Sequence, residues 1–365
     1  MTLREIIKQK INHEGPISFC DFMEMCLYYP ELGYYTSTRD KIGRNGDYYT
    51  SPYVSTLFGV MIAKQLEEMW RILGEEKFTV VEYGAGTGFM CHSILEELKK
   101  NKDLYERLNY CIIEKSEAMR QKQKNILNEK VSWHKCIQDV APVTGCILSN
   151  EVVDNFCVHQ VVMKEELMEV FVGFNDGFFE LLQPAPNELK EYFQELQITL
   201  EKGFRTEINL QATHWMREIG KALEKGFVLT IDYGFPSFEL YSSRRSQGTI
   251  LCYHQHRVND DPYSNIGEQD ITAHVNFSAL HHWGLKNELE YTGFTNQAYF
   301  LLALGLTEQL RMMEKNGETN SIGAKPSLIN SLLLDMGTKL KVLVQHKLVS
   351  KPQLSGLKFL HQVSL

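Results

Sequence analysis

The chain has no apolar run long enough to cross a bilayer. Stretches such as Tyr299 to Leu304 fall far short of the roughly 18–20 residues a spanning helix needs, so no membrane span is expected. Nor is there an excess of positive charge: 38 Lys and Arg stand against 46 Asp and Glu, a net charge of −8. That balance disfavours nucleic acid as a partner, because non-specific binding neutralises many phosphates, and leaves small molecules and proteins. The eight cysteines, at positions 20, 26, 91, 111, 136, 146, 157 and 252, form no C-x-x-C pair and mostly sit in apolar runs. Reduced core thiols are therefore expected rather than a disulfide framework. The opening MTLREIIKQKINHEG carries Glu5 and no long apolar segment, which fits neither a secretory signal nor an acid-poor transit peptide, and a cytoplasmic address is the expectation. Internal repeats and low-complexity tracts are also absent.

What is present is a chain of 365 residues, 43% hydrophobic and 23% charged. Such a chain folds around a sizeable core, as one large domain with insertions or as two modest ones. Ser18 and Asp21 form an S-x-x-D start ahead of Phe19, Phe22, Met23 and Cys26 at helical spacing, which predicts a helix. Residues 28–52 are rich in Gly, Tyr and Thr and read as an ordered loop. Val54, Leu57, Phe58, Met61, Ile62, Leu66 and Met69 trace one face of a long helix.

From Phe78 onward short apolar runs alternate with helical segments, the pattern of a doubly wound α/β sheet. Strands are predicted at 78–83, 110–114, 131–135, 145–149, 227–232, 285–291 and 341–344, with helices at 89–99 and 116–127. Residues 158–182 alternate like antiparallel strands, 187–200 read as a helix, and 313–327 as a mobile polar loop. The expected organisation is an N-terminal helical segment with a cofactor-covering loop over 1–52. An α/β core over 53–365 follows, with insertions at about 158–205, 235–275 and 295–337.

The run Val80-Val81-Glu82-Tyr83-Gly84-Ala85-Gly86-Thr87-Gly88 is an apolar strand ending in an acid, followed by G-x-G-x-G. Glycines there allow a tight turn and close approach of backbone amides to a ligand at a helix start. A dinucleotide fingerprint would read G-x-G-x-x-G, but the third glycine comes one residue early and Phe89 takes its place. Glu82 would also set a carboxylate beside a diphosphate, which disfavours a nicotinamide oxidoreductase. It suits a ligand bearing an ammonium group, such as S-adenosylmethionine. Glu114 ends the next strand, thirty residues after Gly84, where a carboxylate can accept from two ribose hydroxyls. Asp139 follows the third strand and could accept from an adenine amino group. The competing reading for all three acids is an ordinary solvated strand end.

The Gly84 to Gly88 run resembles motif I of class I S-adenosylmethionine-dependent methyltransferases. The whole chain resembles one family among them, the MidA-type proteins, which include mitochondrial complex I assembly factors acting as protein arginine methyltransferases. Residues 42–52 (IGRNGDYYTSP), Phe58-Gly59, residues 149–154 (SNEVVD), 231–234 (IDYG), Gly248-Thr249 and residues 267–275 (GEQDITAHV) carry the resemblance. Many members have Pro and Arg where this chain has Ala85 and Thr87, and Pro at Cys157; the motif glycines are kept. The resemblance implies a Rossmann-like class I fold and S-adenosyl-L-methionine as cofactor. It places Gly84, Gly86 and Gly88 at the methionine end, Glu114 on the ribose and Asn150 nearby, with Gly46, Asp47, Thr50 and Ser51 folding over the cofactor. It also implies a protein substrate, an arginine on a subunit of respiratory NADH dehydrogenase.

Methyl transfer to arginine needs a positioned guanidinium, which carboxylates hold best. Glu151 and Asp154 follow the fourth strand, where class I methyltransferases keep acceptor-binding residues, and are the leading substrate ligands. Otherwise Glu151 caps the next helix and Asp154 is solvated. Glu268, Asp270 and His274 could add two carboxylates and a hydrogen-bonding group, or equally hold the insertion together. Cys252, His254 and His256 would share a face if 249–258 were one strand, but three ligands on one strand give poor tetrahedral geometry, so no metal is expected. Trp215 and Trp283 read as packing aromatics. A non-catalytic assembly factor that binds the cofactor without transferring methyl is the alternative to an enzyme.

Overall fold

The computed structural model describes residues 1–37, 56–127, 130–315, 329–359 and 365. The chain divides into two compact units. One comprises Tyr49–Val152, Met216–Gly234 and Trp283–Leu365; the other comprises Met1–Tyr48, Val153–Trp215 and Phe235–His282.

The first of these is built on β1 (Phe78–Tyr83), β2 (Leu108–Ile113), β3 (Val131–His134), β4 (Val143–Asn150), β5 (Leu223–Phe235), β6 (Glu290–Asn296) and β7 (Leu340–Lys347). They run in the order β6-β7-β5-β4-β1-β2-β3. β3, β2, β1, β4 and β5 pair in parallel, and β7 is antiparallel to both β5 and β6. This is a Rossmann-like sheet. Parallel strands buried on both faces must be apolar almost throughout, and Val80, Val81, Cys146, Ile147, Leu148, Phe227 and Leu229 are all buried.

Helices α1 (Thr56–Ile72), α2 (Phe89–Leu98), α3 (Lys102–Arg107) and α4 (Glu117–Lys124) accompany the first strands. The predicted stripe of α1, from Leu57 to Met69, is buried. Each fully buried Phe or Leu in it contributes roughly 1.5–3 kcal/mol. Gly59 lets α1 lie close on α2: a Cβ there would stand 2.5 Å from Ser93 Cβ. Strand order reverses between β1 and β4. In open α/β sheets ligands bind outside the carboxyl ends of the strands at such a point.

The second unit is largely antiparallel. Strands Leu167–Phe174, His159–Met163 and Arg205–Ile208 are neighbours in that order, and Phe178–Pro184 pairs with the first. Helix Phe19–Tyr28, capped by the Ser18 side chain, buries Phe19, Phe22, Met23, Cys26 and Leu27, with Phe22 edge-on to Phe178 at 5.2 Å.

Three expectations are corrected. The strand foreseen at 285–291 lies later, at Glu290–Asn296, because a helix runs on to Leu285 and Glu288 turns with φ 64°. Residues 249–258 are not one strand but a hairpin, Leu251–His254 pairing with Arg257–Asn259, turned by Gln255 and His256 at φ 49° and 59°. Cys252, His254 and His256 therefore do not share a strand face. Residues 313–315 of the expected loop end the helix Leu306–Lys315; the rest of it lies outside the described residues.

Candidate active site

The loop after β1 holds Gly84, Gly86 and Gly88 at φ 60°, 52° and 87°, left-handed values that favour glycine. Gly88 is the N-cap residue of α2, and a helix start leaves its first amides without intrahelical acceptors. Gly84 N–H donates to Ile113 O at 3.0 Å, tying the turn to the end of β2.

Glu82, the penultimate residue of β1, is buried. Its Oε2 accepts from the Tyr110 hydroxyl at 2.6 Å, and Oε1 has no hydrogen-bond partner among the described residues. Burial pushes its carboxyl up to about 7, against the Tyr110 hydrogen bond and with help from the Glu114 charge. A carboxylate oxygen buried without a donor is costly, and a cationic ligand group would relieve that cost.

Glu114 is buried at the end of β2. Oε1 accepts from Ser116 N at 2.9 Å and Oε2 from Gln123 Nε2 at 3.1 Å, and burial raises its carboxyl above the usual range. Gln123, on α4, is the residue that sequence reasoning missed. Its Nε2 also donates to Gly86 O at 2.9 Å, and its Oε1 accepts from Trp133 Nε1 at 2.9 Å. One amide thus joins the glycine loop, Glu114 and β3. A glutamine in a helix of mean polar character carries no signal of such a role, and its burial is the observation that reveals it.

Asp139 follows β3 in a short turn and is exposed. Its Oδ2 accepts from Lys135 N and Cys136 N at 3.2 and 3.3 Å, and these backbone bonds hold its carboxyl below the ordinary value.

At the end of β4, Asn150 is buried. Its Nδ2 donates to Glu151 Oε1 at 3.1 Å, and its Oδ1 has no partner among the described residues. Glu151 adopts φ 54°, a conformation that costs a non-glycine residue of order 1–3 kcal/mol. Its N–H donates to Ile231 O at 2.9 Å, and Val152 N donates to Asp232 Oδ2 at 3.1 Å. The tail of β5 therefore shapes the turn that presents Glu151.

In the other unit, Asp154 is buried in a 3₁₀ turn, and its backbone oxygen accepts from Ala273 N at 2.9 Å. His274 N donates to Thr249 Oγ1 at 3.0 Å, and its ring meets Phe235 edge-on at 5.2 Å. Asp270 Oδ1 accepts from the Tyr35 hydroxyl at 2.9 Å and from Asn155 Nδ2 at 3.3 Å, while the backbone carbonyl of Glu268 accepts from His254 Nδ1 at 2.9 Å. Trp215 is buried and Trp283 partly so. Among the described residues no three His, Cys, Asp or Glu side chains group as a metal site. Gly46, Asp47, Thr50 and Ser51 lie outside the described residues.

A glycine turn, buried acids and a buried amide at the reversal point fit a cationic, hydroxyl-bearing nucleoside ligand. The family model for S-adenosyl-L-methionine-dependent methyltransferases matches residues 61–295. The chain belongs to that family. It is an S-adenosyl-L-methionine-dependent methyltransferase.

Over 98% of the chain and 95% of its own, a crystal structure from Burkholderia thailandensis bound to S-adenosyl-homocysteine superposes with a TM-score of 0.89 at 29% identity. The protein arginine methyltransferase NDUFAF7 homolog, mitochondrial, of Drosophila melanogaster is 26% identical over 77% of this chain and 69% of its own. The human protein arginine methyltransferase NDUFAF7, mitochondrial, is 26% identical over 85% and 75%. These relatives overturn the cytoplasmic expectation, since they are labelled mitochondrial. That expectation rested on a missing leader pattern, and targeting segments are separate from the fold. No helix among the described residues is long and apolar enough to cross a membrane.

Proposed function

We propose that this methyltransferase acts on protein arginine, and that its acceptor is an arginine of a respiratory NADH dehydrogenase subunit, with a role in complex I assembly. The observation that carries the arginine reading is the likeness to arginine methyltransferases over most of the chain. The strand-end carboxylate Glu151 supports it, a group suited to a guanidinium. Nothing in the site favours a non-catalytic cofactor binder.

When bound, S-adenosyl-L-methionine supplies an electrophilic sulfonium methyl group. In the proposed division of labour Gly84, Gly86 and Gly88 give the cofactor backbone access, Glu82 takes its ammonium, and Glu114 takes the ribose hydroxyls. Asn150 and Asp139 serve the nucleoside end, and Gly46, Asp47, Thr50 and Ser51 cover it. In-line methyl transfer depends mainly on holding the nucleophile in line and excluding water. Glu151 accepts N–H bonds from the acceptor guanidinium, aims one nitrogen at the methyl group, and takes the proton that nitrogen loses. Asp154 and His274 are proposed to position the acceptor. The strained backbone at Glu151 is consistent with a carboxylate held ready rather than recruited.

The test is incubation of the purified protein with methyl-labelled cofactor and a candidate subunit, followed by mass spectrometry of the product. Label on an arginine side chain supports the proposal; label confined to another residue type refutes the acceptor assignment.

A further inference from the structure

Two groups of opposite charge in the second unit are held by the same short turn, and neither is fully used. Glu207, on strand Arg205–Ile208, is only 7% exposed. Its Oε2 accepts from Thr249 N and Thr249 Oγ1, both at 2.9 Å, and its Oε1 has no hydrogen-bond partner among the described residues. Arg245, half-buried in the turn Ser243–Arg245, lays its guanidinium over the Phe235 ring with Cζ 3.6 Å from the centroid. A guanidinium offers five N–H donors; among the described residues Arg245 uses Nη1 alone, to Glu239 O at 2.8 Å.

Gly248 ties the two together. Its N–H donates to Arg245 O at 3.0 Å, and a Cβ on it would overlap Glu207 Oε1. Thr249 and His274 join them from the other side: Thr249 Oγ1 donates to Glu207 and accepts from His274 N, and the His274 ring meets Phe235 edge-on.

We infer that Glu207 and the face of Phe235 make a guanidinium-binding subsite for an arginine of the protein substrate, with Arg245 as a resident occupant that the incoming arginine displaces, an inference that rests on the arginine acceptor of the proposed function.

Anchoring the turn takes one carboxylate oxygen, and Oε2 supplies it. The other is left where an undonated carboxylate oxygen is costly. Burial raises the Glu207 carboxyl above its usual range, against the Thr249 bonds and the Arg205 charge. Arg205 itself, two residues earlier on the strand, is committed to Glu180 and to Gln160 Oε1. A guanidinium brings what the place lacks: planar donors for a carboxylate oxygen and a flat cationic face for an aromatic ring. Arg245 demonstrates that the Phe235 ring takes such a group. The bare backbone of Gly248 leaves open the space beside Oε1 that a side chain would fill. His274, proposed above to position the acceptor, borders the same ring.

The test titrates the intact protein, loaded with S-adenosyl-homocysteine, by calorimetry with Nα-acetyl-arginine amide and with its citrulline counterpart, which keeps the shape and lacks the charge. The wild-type protein should bind the arginine compound about tenfold or more tightly than the citrulline compound. Arg245→Ala should tighten arginine binding about tenfold by vacating the ring, and Glu207→Gln should weaken it about tenfold. Residues with a merely structural role would not move the affinity in opposite directions. Affinity for S-adenosyl-homocysteine checks that each variant is folded, and if Glu207→Gln fails that check, Arg245→Ala decides alone. Equal binding of the two compounds by the wild-type protein, or arginine binding that Arg245→Ala leaves unchanged or weakens, would overturn the subsite. The expected binding pattern together with methyl label on another residue type supports the subsite and refutes the arginine acceptor; label on arginine with unaltered binding in both variants refutes the subsite alone.

Discussion

Glu82→Gln separates the electrostatic role of the buried acid from its packing. With its carboxyl near 7, Glu82 must release a proton before it can pair with a cofactor ammonium. At about pH 6 that release costs about 1.4 kcal/mol, roughly a tenfold loss of affinity relative to about pH 8. Titration calorimetry with S-adenosyl-L-methionine across that range should show the loss in the wild-type protein. The glutamine variant should bind more weakly at the higher pH and show little dependence on pH.

Stability of the ligand-free protein moves the opposite way. A carboxyl raised in the folded state contributes its stability below its unfolded value, near 4.5, and loses it as the pH climbs toward about 7. The change amounts to about 3 kcal/mol, and Glu82→Gln should remove it from thermal melts. A variant that kept the tenfold pH dependence of binding would show that Glu82 does not meet the cation, and the reasoning would fail.

Tyr110→Phe removes the hydroxyl donor to Glu82, so the pH midpoint of cofactor binding should move upward; a downward or absent shift contradicts the assignment. Gln123→Ala breaks the bridge among Gly86, Glu114 and Trp133 and should cost about 1–3 kcal/mol, with an altered Trp133 environment read by fluorescence during denaturant unfolding. Glu151→Gln should leave cofactor affinity unchanged and lower methyl transfer about 10- to 100-fold, the worth of a charged hydrogen bond; wild-type turnover would remove Glu151 from the acceptor site. Gly145→Ala would set a Cβ 2.0 Å from Thr79 O across β1 and β4, and it should cost at least about 3 kcal/mol. An unchanged melting midpoint would refute that.

The strands of the central sheet were legible because burial on both faces leaves a continuous apolar run, as in β1, whose bounds match the reading. The glycine turn was legible because left-handed backbone has few other residues to use. Less visible were features created by tertiary contact. The Gln255-His256 turn carries none of the Asn-Gly chemistry that usually marks a two-residue hairpin, so the sequence around it reads as one strand. Leu289 extends the apolar look of residues 285–291, yet pairing with β7 begins only at Glu290. Gln123 is an ordinary helix former by type, and only its neighbours in space make it the link between the loop and Glu114. Asp139 has the position of an acceptor in the sequence, whereas its carboxylate bonds to two backbone amides of its own turn.

The central claim is methyl transfer to protein arginine, and the most direct measurement is the fate of a labelled methyl group. The wild-type protein, labelled cofactor and a respiratory NADH dehydrogenase subunit should yield label on an arginine guanidino nitrogen. The Glu151→Gln protein should bind the cofactor and yield far less. Tight cofactor binding with no label on arginine in any condition would contradict the account.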